Sequence, residues 1–141
     1  MKVALIVIGI TVLVLAAMMG GAYWWWQTQG PTMIADVKAA GADAARFAAG
    51  KDSSACVDEA ASRAKASGYF SFGLPVRIFL ADCLRRAKYP DGFCDNVPSA
   101  INVLKSVPWQ RAMNEKLGLK GPLQTSIVPP GIQEFCQSRS K

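Results

Sequence analysis

The sequence predicts an all-α chain: one N-terminal transmembrane helix followed by a small disulfide-stapled bundle of short helices. Three observations lead there. Residues 3–22 carry no charge and no strong helix breaker. Beyond them, apolar residues recur at spacings of three and four, and no stretch alternates convincingly with period two. Four cysteines, Cys56, Cys83, Cys94 and Cys136, all stand on one side of the apolar run. An even set in a small exported domain reads as disulfides.

The apolar run is the first element. Twenty helical residues rise about 30 Å, the thickness of a bilayer's hydrocarbon core. Tyr23, Trp24, Trp25 and Trp26 follow it and suit the aromatic belt at a membrane interface. We therefore assign residues 1–2 to a cytoplasmic stub and 3–26 to a transmembrane signal anchor. Lys2 and the amino terminus are the only nearby cations, so Met1 is expected inside and the rest of the chain outside the cytoplasmic membrane. The cysteines agree, because disulfides need the oxidising side. Gly20, Gly21 and Ala22 also resemble a cleavage site, so a cleaved signal peptide is the rival reading. The small residues Ala16, Ala17, Gly20 and Gly21 form two overlapping small-x-x-x-small pairs. They make a possible helix-packing face, or are ordinary small residues of an anchor.

Residues 27–50 read as a linker and an alanine-rich helical stalk. Gln27 to Thr32 is polar with Gly30 and Pro31, which predicts a hinge. Pro31 then opens a helix that ends before Gly50, with Ile34, Val37, Gly41, Ala44 and Ala48 on one narrow face. Phe47 is the large side chain expected to dock on the following domain.

Residues 51–141 form the exported helical domain. Asp52, Ser53 and Ser54 signal a helix start, and the helix should run to about Ala66. Tyr69 to Phe72 makes an aromatic loop, either a core cap or a partner-binding patch. Pro75 opens the strongest amphipathic helix, with Val76, Phe79, Leu80, Cys83, Leu84 and Ala87 on one stripe, and this helix should occupy the centre of the core. Pro98 is expected to begin a helix carrying Ala100, Ile101, Val103 and Leu104, which Pro108 breaks or kinks. A further helix bears Trp109, Ala112, Met113 and Leu117. Lys120 to Gly131, rich in proline, should be an irregular surface loop, and Pro130 should start a last helix with Ile132, Phe135 and Cys136.

An antiparallel pairing of the two helices after Asp52 and Pro75 would put Cys56 opposite Cys83. Cys94 would then join Cys136. Each closed loop is worth roughly 3–4 kcal/mol in the chain-entropy model.

Composition narrows the chemistry. The chain has 16 Lys and Arg, 10 Asp and Glu, and no histidine. The commonest general base and metal ligand are therefore absent from its repertoire. No phosphate-binding, nucleophile-elbow or zinc-protease motif is present, and no cofactor is expected. Arg85, Arg86 and Lys88 form a possible anionic-partner patch, or simply complement a helix C-terminus. Asp91 and Asp95 could bind a cation or act in hydrolysis; the plainer reading is a turn, with Asp95 or Asn96 capping the next helix. The expected function is a membrane-anchored, non-catalytic binding or scaffold protein of the cell envelope. Its expected partners are the membrane and another envelope protein or itself, not nucleic acid. The alternative is a signal-cleaved secreted or periplasmic inhibitor or immunity-type protein. A small carboxylate hydrolase is the third possibility.

Overall fold

The computed structural model describes residues 2–66 and 73–139, with side chains except at 2–6 and 29. The aromatic loop Tyr69 to Phe72 lies outside the described residues. Helices dominate: α1 (Lys2–Ala48), α2 (Ser53–Ala66), α3 (Leu74–Arg86), α4 (Val103–Leu117), α5 (Pro122–Thr125) and α6 (Val128–Arg139). The chain divides into two compact units, Met1–Asp36 and Val37–Lys141.

In the first unit, the stretch apolar enough to cross a membrane is Val7–Thr28, with a mean hydropathy of 1.9 and none of it buried. Its threonine hydroxyls are satisfied locally. The Thr11 hydroxyl donates to the Val7 carbonyl at 2.9 Å. The Thr28 hydroxyl donates to the carbonyls of Trp24 at 3.0 Å and Trp25 at 3.1 Å. Such internal satisfaction is what a lipid environment demands of polar groups.

The hinge expected over Gln27 to Thr32 is not present, because α1 passes through it with Pro31 inside. Pro31 cannot donate to the Gln27 carbonyl, which forfeits one backbone bond, but its fixed φ is compatible with a helix. The Trp26 ring covers Gly30: a Cβ there would stand 3.5 Å from two of its ring atoms. A large ring packed on the weak residue offsets its poor helix propensity.

The second unit is built on α3. Val76, Phe79, Leu80, Cys83 and Leu84 are its buried stripe. Against it, α2 presents a face of small residues, Cys56, Ala60, Ala61 and Ala64, so large side chains meet small ones. Asp52 caps α2 by accepting from the Ala55 amide at 2.8 Å. A single parallel bridge joins Asp52 to Lys88. In it Ser53 N donates to the Lys88 carbonyl at 2.9 Å, and Lys88 N to the Lys51 carbonyl at 3.2 Å. The bridge sets the start of α2 beside the end of α3, which is the antiparallel arrangement that brings Cys56 to Cys83.

The alanine-rich segment is not a free spacer over its second half. Ala40, Ala44 and Ala48 are buried in the core, and the Phe47 ring meets Phe79 edge-on at 5.7 Å. Ile34 is half exposed. Four-residue spacing aligns Ala40, Ala44 and Ala48 on one face. Their small side chains let the helix come close, and a Cβ on Gly41 would lie 3.3 Å from Asp82 Oδ2.

The region after Cys94 departs most from expectation. No helix starts at Pro98. Asn102 is the N-cap of α4, its side chain accepting from Lys105 N at 3.3 Å. Pro108 does not divide the helix either, since α4 continues to Leu117. Pro108 lies in the second turn and removes the single bond to the Leu104 carbonyl, while Trp109, Met113 and Leu117 hold the helix on the core. The proline-rich stretch Lys120 to Gly131 also differs: it contains α5 and begins α6 at Val128, with Ile127, Val128 and Pro129 buried. Pro129 and Pro130 occupy the first turn of α6, where no backbone N–H is required.

Gly73 N-caps α3 with φ 64°, and a Cβ there would sit 1.9 Å from Ile127 Cδ1. Gly73→Ala combines left-handed strain with overpacking of a buried contact. We expect a loss of about 2–4 kcal/mol, measured by urea unfolding in detergent micelles. Adding Ile127→Val, which removes the closest atom, should recover part of it.

Candidate functional site

Two disulfides close the second unit. Cys56–Cys83 has its α-carbons 5.8 Å apart and Cys94–Cys136 has them 5.5 Å apart. The first ties α2 to α3. The second holds the non-helical stretch between α3 and α4 onto α6. The sequence argument favours these same pairs.

The expected cationic patch is only partly assembled as a free charge cluster. Arg85 pairs with Asp82 at 3.2 Å. Lys88 contributes its backbone to the bridge with α2, and its side chain and that of Arg86 are exposed. An arginine from far along the chain joins this end of the molecule: Arg139 stacks its guanidinium 4.2 Å from the Tyr89 ring centre and donates to the Tyr89 hydroxyl. No periodicity could have indicated that pair. Beside it, Ile78, Ala81 and Phe135 line a cleft of about 400 Å³ between α3 and α6, and the Arg77–Glu134 pair stands at its rim at 2.6 Å.

Asp91 and Asp95 belong to consecutive turns. Phe93 N donates to the Pro90 carbonyl at 3.2 Å, and Asp95 N to the Gly92 carbonyl at 3.1 Å. Gly92 has φ 84°, and the Asp95 carboxylate lies over it: a Cβ at 92 would be 3.0 Å from Oδ2. Neither Asp95 nor Asn96 caps a helix; Asn102 does. Among the described residues no group of three His, Cys, Asp or Glu could hold a metal ion.

In the first unit, Tyr23, Trp24, Trp25 and Trp26 are exposed, and Gln27 Nε2 donates to the Tyr23 hydroxyl at 2.8 Å. Ala16, Ala17, Gly20 and Gly21 are exposed as well, and a Cβ on either glycine would meet nothing within 4 Å.

The feature that sequence reasoning missed lies between Pro98 and Val107. Ala100, Ile101, Val103 and Leu104 were expected on a helix beginning at Pro98. Ile101 is 90% and Leu104 89% exposed, with Val103 and Val107 more than half exposed. Behind them is a buried polar cluster. Gln133 is fully buried. Its Nε2 donates to the Pro98 carbonyl at 2.8 Å and to Ser106 Oγ at 2.9 Å. Its Oε1 accepts from Gln110 Nε2 at 2.6 Å. The inward face of α4 is thus Ser106, Gln110, Met113 and Leu117. Its first members are polar, and the aliphatic residues lie on the other side. Asn102, a strong capping residue one step before Val103, was the available signal.

Compared with family models, curated proteins and solved structures, the chain matches none.

Proposed function

We propose that this chain is a single-pass membrane protein that displays a helical, disulfide-closed domain on the outer side of the cytoplasmic membrane and acts by binding, not by catalysis. One observation carries the reading: a wholly exposed apolar helix, Val7–Thr28, shares the chain with a domain closed by two disulfides. An apolar helix with none of its surface buried needs lipid or another helix around it. Disulfides need an oxidising compartment, which supports a domain on the far side of the membrane from the reducing cytoplasm. Lys2, the cation nearest the apolar run on its N-terminal side, supports that side facing the cytoplasm. The binding partner proposed is another protein of the envelope.

Fractionation with alkaline extraction, followed by N-terminal sequencing, tests this. The intact chain should stay with membranes, and protease added from outside should degrade the domain but not the Met1 end. A mature chain beginning near Tyr23 in the soluble fraction would replace the anchor with a cleaved signal and leave a secreted or periplasmic binding protein.

A further inference from the structure

We propose that the segment Ala100–Val107 is a second membrane-contact element, which seats Ile101, Val103, Leu104 and Val107 in the headgroup layer of an anionic bilayer. This rests on the membrane-anchored reading above. Four features of the segment point to lipid.

The first is shape. Ile101 and Leu104 are each about nine-tenths exposed, so they protrude and do not line a groove. All four side chains are aliphatic. They lack the aromatic and hydrogen-bonding anchors that dominate protein–protein hot spots, but a fluid apolar layer accepts them without complementarity.

The second is the backbone. Asn102 N donates to the Ser99 carbonyl at 3.0 Å, Val103 N to the Ile101 carbonyl at 3.1 Å, and Ser106 N to the Asn102 carbonyl at 2.8 Å. Ile101 N donates to Ser99 Oγ at 3.4 Å, and Lys105 N to Asn102 Oδ1 at 3.3 Å. These five amides are already bonded, which lowers the cost of placing them in a poorly hydrated layer.

The third is rigidity. Gln133 grips Pro98 and Ser106 on either side of the apolar tip. Gln137 Nε2 donates to Ser99 Oγ at 3.2 Å. The tip therefore cannot turn its side chains inward.

The fourth is charge. Lys105 and Arg111 flank the tip, both exposed and neither in an ion pair among the described residues. Glu115, one turn further along α4, is the acid on the same side. Cations beside an apolar insertion draw it to anionic lipid.

The test uses the full chain in nanodiscs containing phosphatidylglycerol and a lipid with a photoreactive acyl chain, with adducts mapped by mass spectrometry. Adducts are expected in Val7–Thr28 and, separately, in Ala100–Val107. The variant Ile101→Ser/Leu104→Ser should lose the second set at least fivefold and keep the first, with an unchanged melting curve. Lys105→Gln/Arg111→Gln, or neutral lipid in place of phosphatidylglycerol, should reduce the second set severalfold. Adducts in the span alone, links from the segment to a second protein copy instead of lipid, or second-site adducts unaffected by these changes would each overturn the proposal. Adducts in neither region would instead overturn the anchor itself.

Discussion

Replacing Cys94 and Cys136 together by alanine should lower the stability of the second unit by about 4 kcal/mol, and replacing Cys56 and Cys83 by about 3.5 kcal/mol. These magnitudes follow from the entropy of closing loops whose ends are 42 and 27 residues apart. The two losses should differ in character. Cys56 and Cys83 are fully buried between helices that also pack through Ala60, Ala64, Phe79 and Leu80, so their removal weakens a contact that other side chains maintain. Cys94 lies in a stretch of turns with no helix of its own. Phe93, which meets Phe135 at 6.3 Å, the Gln133 bond to Pro98, the Gln137 bond to Ser99 and the Arg139 contact with Tyr89 also tie that stretch to α6. Its removal should raise amide exchange at Phe93, Asp95 and Val97 well before global unfolding. Urea midpoints in detergent micelles give the stabilities, and hydrogen exchange gives the distribution. A non-reducing peptide map must first recover the 56–83 and 94–136 linked peptides; a 56–94 or 56–136 peptide would remove the basis of both numbers.

Phe79→Ala should be the most damaging single substitution in the core, at about 3–5 kcal/mol. Phe79 is fully buried and is the largest such side chain. It touches three elements at once: α3 carries it, the Phe47 ring of α1 meets it at 5.7 Å, and the Arg63 guanidinium of α2 lies 3.8 Å from its centre. Removing the ring opens a cavity where those helices meet. It also takes the stacking surface from Arg63, which pairs with Glu59 at 2.8 Å and with Asp43 at 3.6 Å. Phe79→Leu should recover about half of the loss by refilling volume without the ring contacts. A loss below about 1 kcal/mol in Phe79→Ala would show that α1, α2 and α3 do not share this contact in solution.

The helices that were legible in the sequence are those whose signals are local and concordant. Asp52 before an alanine-rich run, and Pro75 before the stripe from Val76 to Leu84, each combine a start signal with a helical period. α2 and α3 follow accordingly, and so does the cysteine pairing, because helix length fixes which cysteines an antiparallel pair can join. Prolines misled in two places: Pro31 suggested a hinge and Pro108 a break, yet each lies inside a helix, whereas Pro130, read as a helix start, does stand in the first turn of α6. A proline interrupts one backbone bond, and the surrounding packing decides whether the helix continues.

Two properties are therefore written in the order of residues alone: a long uncharged run that requires an apolar surrounding, and an even set of cysteines spaced for a pair of clamps. Both depend on composition and on distances along the chain. Which side of α4 faces inward depends on partners distant in sequence. Gln133 and Gln110 draw Ser106 into the interior and so turn Ile101 and Leu104 out to solvent. A buried polar group must find its hydrogen bonds, and that requirement outweighed the helical pattern of the aliphatic residues. The protruding aliphatic tip, from which the second lipid contact is inferred, exists for that reason.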